Sequence, residues 1–549
     1  MQNRNAGKEK PSMNASPFSR RLSRRRLVQT GGAGIAAGIA MSGPAAIVSA
    51  QSGTPVAGTD RAVSTERVSD ATARLESMIA DALNATGVPG LAVAVVHNDE
   101  AVYTKGFGVK SVDAADTVDA DTVFQIASVS KSVAGTVVAA LVGDGVVTWD
   151  DHLVDHLPDF ELSDPWITRE VSIRDAFSHR TGMPGIAGDD LEIIGFDRDE
   201  IIHRMRDLNL TGKFRQTYSY SNFGLTAGGA AAAAAAGTSW EQLSAERLYA
   251  PLGMTSTSSL AADFESRPNR ALLHVPENGK WVQKFTRNAD AQSPAGGVSS
   301  SVNDLAQWVR MILGGGTVDG VEHISADALA STFVPQIGRG RNPITGSTSF
   351  YAHGWAVEFD TRGHVFWSHA GAFSVGARTY VSLLPEANLG IVVLANAFPS
   401  GLPEGIAASF FDLALYGELQ DDWIGFWNGQ YDLLAQSFQN ETYATAPASP
   451  EPALAATAYA GTYTNDYFGE LTVEAGAGDA LSLSVGPEPI VYPLTHWDRD
   501  LFIYEPSPEF PGSMSAATFL VDPAGQASRV VIETLDSYGQ GTFTRVSAP

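Results

Sequence analysis

A serine followed three residues later by a lysine, Ser128-Val129-Ser130-Lys131, opens the apolar stretch Val133 to Val142. That stretch reads as a helix, and on a helix residues i and i+3 share a face. A serine hydroxyl is a poor nucleophile unless a base takes its proton as it attacks, and a lysine does so only where burial or neighbouring charge keeps it neutral. The helix start adds backbone N–H groups for a developing oxyanion. On its own the spacing fits a surface serine beside a solvated lysine better. Against that, only six lysines remain after residue 50, and this one stands among Phe124, Ile126, Val129 and Val133. A second group is Tyr220-Ser221-Asn222. A phenol near a cationic lysine can have its pKa lowered and shuttle a proton, while a carboxamide donates to substrate and orients the lysine. A core tyrosine and a turn asparagine are the plainer alternative. The third is His369-Ala370-Gly371, after the apolar run Val365-Phe366-Trp367. Glycine at a strand edge lets a substrate backbone approach, and an N–H just beyond it completes an oxyanion hole. An ordinary strand-end histidine fits that stretch equally.

These groups need a scaffold that spans the chain. Val68 to Leu83 has helical spacing of apolar residues and stops at Gly87-Val88-Pro89-Gly90. Leu91–His97 and Ala101–Val109 flank Asn98-Asp99-Glu100 as a hairpin would. A second β-rich cluster follows much later, at Gly354–Phe359, Val365–Ser368, Ala377–Leu384 and Leu389–Leu394. An antiparallel sheet built from both ends of one domain, with a helical region inserted between, fits this order. The alanine run before Gly237 predicts a tightly packed helix capped by that glycine, and Ser239 to Gln242 has capping-box spacing. After Tyr416 comes a linker region, 417–454, ending in a Pro/Ala/Ser run at which the two modules are expected to separate. Short β-like runs from Tyr459 to Val546 then argue for a small barrel or sandwich.

Composition narrows the function classes. The net charge is −25, yet the first fifty residues hold eight Lys or Arg against one Glu, so the remainder carries −32. Such a surface repels nucleic acid and acidic membranes. The absence of cysteine excludes disulfides, thiolate metal sites, a cysteine nucleophile and a lipidated export cysteine. Ser23-Arg24-Arg25-Arg26-Leu27-Val28, the apolar run from Gly31 to about Val48, and Val48-Ser49-Ala50 resemble a twin-arginine export signal over residues 1–50, followed by a polar tether over 51–66. A retained membrane anchor is the alternative. Cleavage would leave no stable membrane insertion and a periplasmic or extracellular protein.

Taken together, in this order, the three groups resemble the S-x-x-K, Y-x-N and K/H-x-G elements of the serine β-lactamase, penicillin-binding-protein and esterase superfamily. Residues Val171 to Pro184 resemble its "I-R-x-L-L-x-H-x-S-G-L-P" segment, and Pro251-Leu252-Gly253-Met254, Pro294 to Val298 and Val393-Leu394-Ala395-Asn396 match further landmarks. The resemblance covers about Val68 to Tyr416 and implies an α+β/α/β fold class: an antiparallel sheet flanked by helices in a hydrolase domain, 67–416. It implies Ser128 as acylated nucleophile, Lys131 as its base and Tyr220 as the group passing the proton to the leaving group. Asn222, His369 and Gly371 would bind substrate, with His369 where many relatives have lysine, and the backbone N–H groups of Ser128 and Ala372 would form the oxyanion hole. No cofactor and no metal are implied. His152 and His156, with Asp151 and Asp155, have metal-like spacing but fall where the family has a structural turn, and His179 belongs to a landmark segment and reads as a core histidine. Residues 455–549 resemble, more loosely, the lipocalin-like barrel of some peptidases of the family, a domain that shapes access or homo-oligomer assembly.

The expected function is therefore an exported serine hydrolase forming an acyl-enzyme on a small-molecule or peptide substrate: an ester, a D-amino-acid peptide or a related amide. A β-lactamase or D,D-carboxypeptidase is the second reading. A catalytically silent binding protein is the third, and the intact Ser128, Lys131, Tyr220 and Asn222 argue against it.

Overall fold

The computed structural model describes residues 63–341, 348–360, 362–438, 441–506 and 513–546. The expected export signal, and the tether as far as residue 62, lie outside the described residues. Residues 65 and 66 already belong to the first helix, α1 (Thr65–Thr86), which Ser64 caps through its side chain and Gly87 ends at φ 67°.

One antiparallel eight-stranded sheet organises the first domain. Its strands are β1 (Gly90–His97), β2 (Glu100–Gly108), β3 (Ile337–Arg341), β4 (Thr348–Tyr351), β5 (Ala356–Phe359), β6 (Val365–Phe373), β7 (Ala377–Leu384) and β8 (Leu389–Ala395). Their spatial order is β2-β1-β8-β7-β6-β5-β4-β3, so chain start and chain end meet at the β1–β8 pair, Leu91 opposite Ala395. The sheet is covered on both faces, which is why β1 and β8 read as unbroken apolar runs rather than alternating ones. Leu91, Val93 and Val95 of β1 pack with α1 and with α7 (Leu402–Tyr416), while Ala92, Ala94 and Val96 face the main core. Strands β3 and β4 escaped the sequence pattern, since Gly338 and Gly340 interrupt the first.

The inserted helical region occupies that main core. Helix α2 (Ser130–Gly143) is buried from Ser130 to Leu141, the signature of a helix apolar all round. Helix α3 (Asp189–Ile193) is short. Helix α4 (Asn222–Ala236) contains the alanine run and ends at Gly237 with φ 70°. Small residues let α4 approach its neighbours: a Cβ at Gly229 would stand 2.8 Å from Pro294 Cβ, beside the turn α5 (Ser293–Gly296). Helix α6 (Val302–Leu313) packs Leu305, Trp308 and Val309 into the same core.

The stretch read as a linker region contains a docked helix, α8 (Trp423–Phe438). Its Trp423, Trp427, Tyr431 and Leu434 are buried with Phe398 and Ala408. Beyond the Pro/Ala/Ser run lies a closed antiparallel barrel: β9 (Gly461–Asn465), β10 (Gly469–Ala475), β11 (Leu481–Val485), β12 (Ile490–Asp498), β13 (Leu501–Tyr504), β14 (Ser515–Val521), β15 (Ala527–Ile532) and β16 (Thr542–Arg545). The β9–β16 pair, with Tyr463 opposite Arg545, closes it and leaves no free edge. Its interior residues form one continuous apolar cluster with the helical region.

Candidate active site

Ser128 sits in a single 3₁₀ turn, Ala127–Val129, that leads directly into α2. The residue before it, Ala127, is held at φ 48°, a left-handed conformation that an alanine adopts only under constraint. Neighbours supply the constraint: Ile126 N–H donates to Val298 O at 3.0 Å and Thr379 Oγ1 donates to Ile126 O at 2.7 Å. Ser128 is half-buried, and Lys131, one turn further, is wholly buried.

Lys131 Nζ has three partners: Asn222 Oδ1 at 2.7 Å, Ala295 O at 2.9 Å and Ser128 Oγ at 3.0 Å. A neutral amine has two hydrogens and one lone pair. The two pure acceptors take the hydrogens, which leaves the lone pair for the Ser128 hydroxyl. The orientation of Asn222 is itself fixed, because its Nδ2 donates to both carboxyl oxygens of Asp189 at 3.0 and 3.2 Å, so that its oxygen must face Lys131. Burial pushes the lysine pKa down to about 7, opposed by the nearby Asp189 carboxyl, whose own pKa burial raises to about 8.

Tyr220 lies on the same side, its ring centroid 4.8 Å from Lys131 Nζ. Its hydroxyl faces Ser128, with no hydrogen bond of good geometry among the described residues. The sequence reading of a lowered phenol pKa is overturned. Burial raises it far above 10, because a buried phenolate would be poorly solvated, so the group is a protonated phenol at neutral pH.

Glycine is required at 371, for a reason other than the expected one. A Cβ there would stand 2.2 Å from Ile126 O, 2.3 Å from Thr379 Oγ1 and 3.1 Å from Ser128 N. The missing side chain therefore makes room for the turn that carries Ser128, and it brings β6 against the Ser128 amide. Ala372, the next residue on β6, pairs with Arg378 of β7. The Arg378 guanidinium is buried in an ion pair with Glu404, which also accepts from Tyr431 Oη of α8 at 3.1 Å.

His369 was expected to face substrate. Its imidazole is buried, with Nδ1 2.8 Å from Ala370 O and Nε2 2.8 Å from Tyr351 Oη. A carbonyl only accepts, so Nδ1 carries the hydrogen and Nε2 accepts from the Tyr351 hydroxyl. Burial and the positive charge of Lys131 hold this histidine well below its usual pKa, and it stays neutral. Both nitrogens are thus engaged within the protein. His179, read as a core histidine, is buried beside Tyr220, with ring centroids 4.4 Å apart, and its Nδ1 accepts from Ser221 N–H at 3.2 Å. It braces the segment bearing Tyr220 and Asn222. His156 pairs with Asp151 at 3.1 Å, and His152 caps a short helix.

Ser128, Lys131, Tyr220, Asn222 and Gly371 are thus gathered around one turn, with His369 beside them and bonded to Tyr351. The sequence reading missed Asp189, Ala295 O and Tyr351. A backbone carbonyl and two residues on short elements, a five-residue helix and a four-residue strand, carry no periodic signal, although the Pro294 to Val298 landmark did mark one of these places.

A family model described as "Beta-lactamase" matches residues 75–411. A second, described as "Domain of unknown function (DUF3471)", matches residues 445–543, the barrel. Among curated proteins, an unguisins hydrolase of Aspergillus violaceofuscus is 25% identical over 449 residues, covering 74% of this chain and 76% of its own. Penicillin-binding protein 4 of Amycolatopsis lactamdurans is 29% identical over 345 residues, covering 60% and 86%. Among solved structures, the octameric penicillin-binding protein homologue from Pyrococcus abyssi superposes with a TM-score of 0.57 at 20% identity, covering 86% of this chain and all of the other.

Proposed function

The chain belongs to the beta-lactamase family, within the serine β-lactamase and penicillin-binding-protein superfamily, and from that premise we propose that it is an exported acyl-transferring hydrolase of esters, D-amino-acid peptides or related amides. The observation that carries the reading is the placement of the buried Lys131 Nζ 3.0 Å from Ser128 Oγ and between two pure acceptors, Asn222 Oδ1 and Ala295 O. In acylation Ser128 Oγ bonds to the substrate carbonyl carbon as its proton passes to Lys131. The oxyanion is held by the backbone N–H groups of Ser128 and Ala372. As the tetrahedral intermediate collapses, the bond to the leaving group breaks and the Tyr220 phenol donates a proton to that group, Lys131 restoring the phenol. Deacylation runs the same transfers with water as nucleophile and Ser128 as leaving group. Asn222 and Gly371 serve the site by holding Lys131 and seating the Ser128 turn. The proposed location, outside the cytoplasm, rests on the amino-terminal arginines and apolar run.

The test is kcat/KM on a p-nitrophenyl ester for the wild type, Ser128→Ala and Lys131→Ala. Loss of the nucleophile should abolish turnover, and loss of the base should cost about 10²–10⁴-fold. Full activity in Ser128→Ala would end the proposal.

A further inference from the structure

Asp189 and Asp190 are adjacent and buried at the start of α3, an arrangement that places two carboxyls where charge is poorly solvated. They face different ways. Asp189 holds Asn222, as described above, whereas Asp190 Oδ1 accepts from the hydroxyl of Tyr467 at 2.9 Å. Tyr467 belongs to the barrel, in the turn between β9 and β10, and is 2% exposed. The same hydroxyl accepts from Gly188 N–H at 2.9 Å, so one phenol grips both residues that flank Asp189.

The corner it grips is wedged against the site. Gly188 has φ 86°, and a Cβ there would stand 2.6 Å from the ring of Phe223, the residue after Asn222. Tyr467 is fixed in its turn: its N–H donates to Asn465 Oδ1 at 2.9 Å and its carbonyl accepts from Arg204 at 2.9 Å. A continuous path of hydrogen bonds and one peptide corner therefore runs from the barrel through Asp189 and Asn222 to Lys131. The charged and titratable groups facing Asp189 are Lys131, Asp190, Glu192, Tyr220 and Tyr467, with Tyr538 of the β15–β16 turn beyond them. Glu192 is itself bound by Arg287 and Gln292.

We infer that Tyr467 is a positioning residue of the hydrolase site, the barrel using its hydroxyl to fix the Gly188–Asp190 corner so that Asp189 holds the Asn222 oxygen on Lys131. The inference rests on the proposed Ser128–Lys131 chemistry. It assigns the barrel a part in turnover rather than only in access or assembly.

The experiment uses full-length Tyr467→Phe and Asp189→Asn, with Tyr504→Phe as control. Tyr504 is buried in the barrel and its hydroxyl contacts Thr534 Oγ1 at 3.0 Å, away from the corner. Three readouts are needed: Tm, kcat and KM on a p-nitrophenyl ester, and the titration of the Lys131 ε-carbon by ¹³C NMR, assigned with Lys131→Arg. Tyr467→Phe should lower kcat about tenfold with KM within about threefold, the size expected for one lost positioning hydrogen bond, while Tyr504→Phe with a comparable loss of Tm keeps wild-type kcat. Asp189→Asn keeps an acceptor for the Asn222 amide but breaks the two-oxygen hold on it, so kcat should fall at least as far as in Tyr467→Phe, and in both variants the Lys131 titration should leave its wild-type position while Tyr504→Phe keeps it. Equal kcat for Tyr467→Phe and the control, or a Lys131 titration that moves no further in Tyr467→Phe than in the control, overturns the inference. An inactive wild type would sink the hydrolase reading instead, and the Lys131 titration would still decide this one.

Discussion

Lys131 is the residue on which the chemistry turns, and its surroundings predict a pH dependence. An amine with pKa lowered to about 7 is the free base above that pH, so kcat/KM should rise as pH increases through about 7 and then level off. His369 and His179, both held well below 6.5 by burial first and by Lys131 second, add no step in that window. A profile whose rising limb sits near 10, where an ordinary lysine titrates, would remove Lys131 as the base. The neutral, internally bonded His369 carries a second prediction. Where many relatives place a lysine cation, the His369 side chain is neutral and has both nitrogens engaged, so it offers no N–H of its own to a substrate carboxylate. A lost charge-assisted hydrogen bond is worth about 1.5–3 kcal/mol, or about ten- to a hundredfold in transition-state binding. A chromogenic cephalosporin should therefore show a lower kcat/KM than a p-nitrophenyl ester measured side by side, and cephalosporin hydrolysis at or above the ester rate would make β-lactamase the better reading. Ser128, Lys131, Tyr220 and Asn222 could be named from the sequence because their order and context resemble one family's, each local spacing by itself favouring a plainer reading. The raised phenol pKa of Tyr220 could not, since burial depends on residues distant in the chain.

At the level of elements, the site is a junction of α2, α4, α5 and β6, and small residues set how closely they meet. Gly371 is the most demanding of these. A methyl group there would overlap Thr379 Oγ1 and the Ile126 carbonyl oxygen, and the latter, being backbone, does not retreat without moving the Ser128 turn. Gly371→Ala should lower kcat about a hundredfold, the effect of displacing a nucleophile by about 1 Å, with a loss of Tm that kcat far exceeds. Unchanged kcat would mean that the turn is more adaptable than its packing implies. The periodic elements, from the first hairpin to the alanine-rich helix, followed from apolar spacing and capping residues. Helix α8 did not, because its buried face of Trp423, Trp427 and Tyr431 lies within a stretch whose acidic and aromatic composition resembled a linker. Strands β3 and β4 were missed because glycines and short length leave little pattern to read.

For the whole molecule, the decisive feature is that hydrolase domain and barrel share one apolar cluster and the Tyr467 contacts. The barrel strands were visible in the sequence as short runs, and the Pro/Ala/Ser run looked like a point of separation. Docking was invisible there, because it depends on a tyrosine in a β-turn meeting a glycine more than 250 residues earlier. Cutting the chain at that run would strip Gly188 and Asp190 of their shared partner, so tests of the chemistry belong on the intact protein. The most direct is mass spectrometry of full-length protein after exposure to a fluorophosphonate. A single adduct, mapped to the peptide containing Ser128 and absent from Ser128→Ala, is the predicted result. An adduct that persists in Ser128→Ala, or maps to another residue, would contradict the account.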